Sequence, residues 1–145
     1  MTFKVKRFSE LTSTEVYGIL RARAEVFVKE QGIRCVDPDN ADFSAIHMFL
    51  EEDGKIIAYL RVLPDGGNKG TVKIGRVLTL IHGAGHGRIL LEKAMLELKI
   101  KFNIKKIILH SQKTAVGFYK KLGFEFCSDE FLEEGIWHIS MEKNI

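Results

Sequence analysis

The sequence predicts one compact domain over residues 1–145, of the α+β (mixed α/β) class, with a sheet carrying helices on its faces. Three observations predict it. Alternating and β-branched segments flank Asp53-Gly54, the strongest short hairpin signal. A further strand-like segment, Thr71 to Leu80, follows as a meander. The later chain alternates strand and helix patterns, so antiparallel strands are followed by strand–helix–strand units.

Taken in order, Phe3 to Phe8 alternates with period two and reads as a half-buried strand. Thr12-Ser13-Thr14-Glu15 reads as a capping box, and Val16, Ile19, Leu20 and Phe27 then recur at helical spacing to about Glu30. Gln31 to Ser44 carries Gly, Pro, Asp and Asn and reads as loop with a short helical turn. His47–Glu51 and Lys55–Leu63 form the hairpin, and Pro64 to Gly70 is a Gly-rich turn. After the loop from His82 to Gly87, Leu90, Leu91, Ala94, Met95, Leu98 and Phe102 share one helix face. Lys106–His110 is a short buried strand, Thr114–Leu122 a helix closed by Gly123, and Phe124–Cys127 and Ile136–Met141 are the last strands.

Composition narrows the function classes. Lys plus Arg exceed Asp plus Glu by 22 to 19, a surplus too small and dispersed for a nucleic-acid face but favourable to an anionic ligand. Cys35 and Cys127 do not make a disulfide framework. The opening MTFKVKRF lacks the apolar core of a signal peptide, and no apolar run reaches the ~20 residues of a membrane span. A cytoplasmic protein without membrane or nucleic-acid partners is expected.

His82-Gly83-Ala84-Gly85-His86-Gly87 is the informative segment, lying between a β-branched strand and an amphipathic helix. Glycine permits positive φ and close approach to the main chain, and a helix N-terminus offers open N–H groups to phosphate. His82, His86 and Arg88 add charge or hydrogen bonds. The same glycines also suit a plain tight turn. The loop lacks the Lys-Ser or Lys-Thr ending of a P-loop, and glycines at 83, 85 and 87 do not make G-x-G-x-x-G.

The loop resembles the R/Q-x-x-G-x-G/A cofactor loop of GNAT acetyltransferases. Gly85 and Gly87 match its glycines, and His82 stands where Arg or Gln is usual. Further segments resemble the ElaA-like branch of that superfamily, in order. They are Val26-Phe27-Val28-Lys29-Glu30-Gln31, the acidic loop Asp39, Asp42 with His47, Ile57-Ala58-Tyr59-Leu60-Arg61, and Ile74-Gly75-Arg76-Val77. Phe118-Tyr119-Lys120-Lys121-Leu122-Gly123-Phe124 and the tail Glu134-Gly135-Ile136-Trp137-His138-Ile139-Ser140-Met141 complete the set. From Arg76 to the first matched glycine the chain is about two residues shorter than the usual pattern.

The resemblance implies a central, mostly antiparallel twisted sheet with helices on both faces, and acetyl transfer from acetyl-CoA to an amine of a small molecule or peptide. It implies that Val77, Leu78 and Thr79 splay from their neighbour and pair with the pantetheine arm, joined by Gln112. It places the cofactor pyrophosphate against His82, Gly83, Ala84, Gly85, His86, Gly87 and Arg88, with Phe118 nearby. Tyr119 matches the family's general acid; a phenol stays protonated near neutrality, although a Phe-Tyr pair on a short helix also suits a core.

No general base stands out, because Gly75 occupies a site where several GNAT enzymes carry a glutamate. His47, His138 and Glu30 are candidate bases or relays, and each is equally suited to a structural role. Arg61 and Arg76 are candidates for binding an acidic substrate group or for pairing with Asp37, Asp39 or Asp42. His82 and His86 have a metal-like spacing, but the glycines between them break a regular helix and no third ligand follows, so no metal is expected. The rival reading is a weakly catalytic or inactive module that binds CoA or a related nucleotide in a regulatory or structural role. The apolar C-terminal strands make a homodimer conceivable.

Overall fold

The computed structural model describes residues 1–145. Its strands are β1 (Thr2–Arg7), β2 (Ile46–Glu52), β3 (Lys55–Pro64), β4 (Thr71–Thr79), β5 (Lys106–Gln112), β6 (Glu125–Glu133) and β7 (Ile136–Asn144). Its helices are α1 (Ser13–Arg23), α2 (His86–Ile100) and α3 (Val116–Lys121). The seven strands form one sheet in the order β1-β2-β3-β4-β5-β7-β6, with only β4 and β5 parallel. This is the mixed α+β architecture the sequence predicts.

Local chemistry explains the boundaries. Thr12 Oγ1 accepts from the Glu15 N–H at 3.1 Å and Glu15 Oε1 accepts from the Thr12 N–H at 2.9 Å, so the capping box forms and starts α1. The helix reaches Glu30 as the spacing predicts, but Ala24–Glu30 is wound as π-helix. Asp53 and Gly54 both have positive φ, 51° and 75°, as a type I′ hairpin turn requires. The helical turn expected in the acidic loop is a short 3₁₀ segment, Asn40–Phe43.

Alternation on the central strands divides the core between two faces. Met48, Leu50, Ala58 and Leu60 pack with Leu90, Leu91 and Leu98 of α2. Phe49, Tyr59 and Leu78 point the other way, against Ile19, Ala22 and Val26 on the α1 side. A bulge at Ile57 lets it share the α2 face with Ala58.

Several expected boundaries move. The sequence pattern stops β6 at Cys127 and β7 at Met141, whereas they run to Glu133 and Asn144. Most of β6 is exposed and it bulges between Phe126 and Glu130, so no alternating pattern marks it. The helix expected from Thr114 is a 3₁₀ turn, Lys113–Ala115, followed by the short α3, which Gly123 closes at φ 93°.

Candidate functional site

The site begins where β4 and β5 part. Their parallel pairing covers only Thr71 to Ile74 against Lys106 to Leu109. Between the pairs Tyr59↔Leu78 and Arg61↔Gly75, β4 holds one more residue than β3, a bulge at Arg76-Val77. Arg76 takes φ 54°, and its side chain holds that conformation by bonding Asp37 Oδ1 at 2.9 Å and the Asp37 carbonyl at 3.0 Å. Val77, Leu78 and Thr79 therefore diverge from His110 and Gln112, leaving strand edges without a ladder between them.

The glycine loop lies just beyond β4. Gly83 and Gly85 have φ of 76° and 78°, and Gly85 is the N-cap of α2. No side chain caps this helix and its first turn holds no acidic residue, so its opening N–H groups have no side-chain partner. A Cβ on Gly87 would lie 3.2 Å from the Phe118 ring, which seats α3 against the loop. His82 Nε2 meets Glu30 Oε2 at 3.2 Å, and Arg88 donates to Glu92 at 2.8 Å. His86 Nδ1 is buried with no partner.

Tyr119 is buried, with its ring edge-on to Phe118 and Phe124 at 5.1 and 5.8 Å. Burial pushes its phenol above the ordinary value, with no charge or hydrogen bond contributing, so it is protonated at neutral pH.

A cavity of ≈ 370 Å³ opens beside the strand gap, lined by Phe27, Ile33, Val77, His110, Gln112 and His138 among others. Gln112 Nε2 donates to Gln31 Oε1 at 2.8 Å.

One wall of the cavity is a charge network. Arg23, fully buried, donates to Asp37 Oδ2 at 2.8 Å and to Asp42 Oδ1 at 2.7 Å. Arg61 bonds Asp39 and Asp42, and Arg76 bonds Asp37. Burial opposes ionisation of Asp42, but the Arg23 and Arg61 guanidiniums outweigh it and hold its carboxyl below the usual range. The Arg61 hydrogen bond lowers Asp39 against a weaker effect of burial. Of the two roles open to Arg61 and Arg76, the structure shows ion pairing. Arg61 is 5 % exposed with both terminal nitrogens committed, which argues against the substrate role.

The three candidate bases separate. His47 is buried outside the cavity, with Nε2 2.9 Å from the Asp42 carbonyl and Nδ1 2.7 Å from the Tyr59 hydroxyl. A carbonyl only accepts, so Nε2 carries the proton and Nδ1 accepts from Tyr59, leaving neither nitrogen free. Burial also lowers the His47 pKa and favours this neutral ring. Glu30 faces His82 and does not line the cavity. His138 lines it, 7 % exposed, with Nδ1 2.7 Å from the Ile136 carbonyl.

Sequence reasoning gave no site role to Arg23, His110 or Glu133, and named Glu134 only as part of the tail motif. Arg23 interrupts the apolar stripe of Ile19 and Val26, and a charge on such a stripe signals a buried partner. His110 alternates with Gln112 on one face of β5, a period-two signal. Glu133 and Glu134 fell beyond the strand read from the pattern. No group of three or more His, Cys, Asp or Glu side chains is placed to hold a metal, and no helix is long and apolar enough to cross a membrane.

The fold is shared with known proteins. The acetyltransferase (GNAT) domain description matches residues 19–145. A UPF0039 protein of Schizosaccharomyces pombe is 37% identical over 145 residues, covering 97% of this chain and 95% of that protein. The crystal structure of an acyl-CoA N-acyltransferase from Pseudomonas aeruginosa superposes with a TM-score of 0.89 at 31% identity, covering 99% of each chain. The structure of Escherichia coli ElaA does so with a TM-score of 0.88 at 27% identity, covering 98% of each. With the domain match running from the middle of α1 to the last residue, the chain belongs to the GNAT acetyltransferase family.

Proposed function

We propose that the protein is an acetyl-CoA-dependent N-acetyltransferase that moves an acetyl group directly to a primary amine of a small molecule or peptide. The observation that carries this reading is the divergence of β4 from β5 at the Arg76 bulge, next to the uncapped N-terminus of α2. Diverged strand edges present backbone N–H and C=O groups to an extended amide chain such as pantetheine. The α2 N-terminus suits its pyrophosphate, on a loop where a side chain at Gly85 would strain the backbone and one at Gly87 would crowd Phe118.

Acetyl-CoA would supply an activated acyl group and a thiolate leaving group. Val77 to Thr79 and Gln112 would align the arm, the segment from His82 to Arg88 and Phe118 would hold its phosphate end, and Tyr119 would give a proton to the departing sulfur. Titration calorimetry with acetyl-CoA, with desulfo-CoA and ATP as controls, tests the cofactor site. Saturable binding that needs the pantetheine arm supports it, and CoA release with a panel of primary amines tests transfer. Absence of binding sinks the reading.

One observation favours a second reading, a non-catalytic module that holds CoA or a related nucleotide. Glu30–His82 and Gln31–Gln112 contacts link the end of the π-helical segment to the glycine loop and to β5, and β4 carries Gly75 in place of a carboxylate. Binding of acetyl-CoA without turnover of any amine would select it.

A further inference from the structure

The cavity holds a group of side chains that neither the fold nor the cofactor slot uses. α1 packs on β3 and β4, and the cavity face of β5, β7 and β6 carries His110, His138 and Glu133. The Ile136 carbonyl fixes the proton of His138 on Nδ1, because a carbonyl can only accept. In the neutral ring Nε2 is then a bare acceptor. The ring stacks on Phe131 at 6.1 Å and 22°, which fixes its plane. Glu133 Oε1 accepts from His110 Nδ1 at 3.0 Å, and its other oxygen lies 3.6 Å from His138 Nε2. In that tautomer two acceptors lie side by side, close enough for one cationic N–H donor to reach both. His138 also pairs in register with Gln112, at the end of β5 that β4 has left.

We propose that His138 is the general base of this site, that Glu133 is its positioning residue, and that the acceptor is a primary amine arriving as its ammonium. The inference rests on the acetyl-transfer reading. The ammonium bridges Nε2 and Glu133 and gives one proton to Nε2, which passes it to solvent. The freed nitrogen lone pair forms the C–N bond at the thioester carbonyl as the C–S bond breaks. Tyr119 protonates the sulfur, and the second amine proton replaces the one Tyr119 lost, through water. Imidazolium formed at His138 is stabilised by Glu133, and His110 keeps that carboxylate in place.

Two measurements test the assignment. In the free protein, ¹⁵N spectra in mildly alkaline buffer are expected to show His138 as the Nδ1–H tautomer; the Nε2–H tautomer overturns it. CoA thiol release is then followed with spermidine, phenethylamine and a lysine-containing tripeptide. His138→Gln is expected to lower kcat by about 10²-fold or more with the acetyl-CoA Kd unchanged. Added imidazole should restore part of the activity of His138→Ala. Glu133→Gln should lower kcat by about 10-fold while Glu133→Asp recovers part of it. Turnover by His138→Gln within about threefold of the wild type overturns the base assignment alone, since general-base losses are far larger. A wild-type protein that binds no acetyl-CoA overturns the transfer reading, and the base with it.

Discussion

Arg76 donates its Nε–H to Asp37 Oδ1 at 2.9 Å, and this bond ties the bulge in β4 to the loop that follows the first helix. Asp37 is also the partner of Arg23, whose side chain has no exposure to solvent. Removing Asp37 leaves that buried charge with Asp42 as its remaining carboxylate partner, and an under-compensated buried charge is costly. Asp37→Ala should therefore lower the unfolding free energy by about 3 kcal/mol in urea denaturation. It should also weaken acetyl-CoA binding, because Arg76 loses the carboxylate that helps to hold it at positive φ and keeps only the main-chain carbonyl of residue 37 and a longer contact with Asp39.

Tyr119→Phe separates chemistry from packing. No hydrogen bond or charge contributes to the shifted pKa of the phenol, so losing the hydroxyl removes no protein hydrogen bond. The melting temperature and the acetyl-CoA Kd should stay near the wild-type values while kcat falls by about 10²-fold. Unchanged kcat would assign Tyr119 to the core alone.

The succession of strands along the chain and the hairpin were legible because period-two alternation and the Asp53-Gly54 turn are local signals. The splay of β4 was legible only through the resemblance, since nothing in Ile74-Gly75-Arg76-Val77 marks a bulge: the non-glycine Arg76 takes positive φ through contacts with Asp37, 39 residues away. The same long range hid the pairing of Arg23 with Asp37 and Asp42. The choice among His47, His138 and Glu30 depended on which carbonyls and carboxylates each meets in space. His47 is fixed by Tyr59 and Asp42, which no spacing rule brings together.

The two matched glycines should respond differently to alanine. Gly85 has φ 78° and open space around its would-be Cβ, so Gly85→Ala should cost about 1 kcal/mol through backbone strain alone. Gly87 has ordinary backbone, but its Cβ would press on Phe118 at 3.2 Å. Gly87→Ala should displace Phe118, and a Phe118→Leu background should relieve part of its effect. Thermal melts and acetyl-CoA titrations of the single and double variants check this coupling, since additive losses would mean that the ring does not yield.

Glu15 should govern part of the acid stability. Burial alone would raise its carboxyl, yet the Lys6 hydrogen bond, the Thr12 N–H, the Lys6 charge and the Lys4 hydrogen bond outweigh it and hold the pKa to about 2. A carboxyl depressed in the folded state contributes stability that is fully present above its unfolded pKa, about 4.3. That contribution is lost as pH falls towards about 2. Glu15→Gln should therefore be less stable than the wild type near neutral pH, with the gap closing over this acid window. Its glutamine can still accept from the Thr12 N–H, so the gap reports the Lys4 and Lys6 ion pairs more than the cap. Urea midpoints of both proteins, taken across the window, check the sign. A gap that stayed constant with pH would place the stabilisation in the cap's neutral hydrogen bonds.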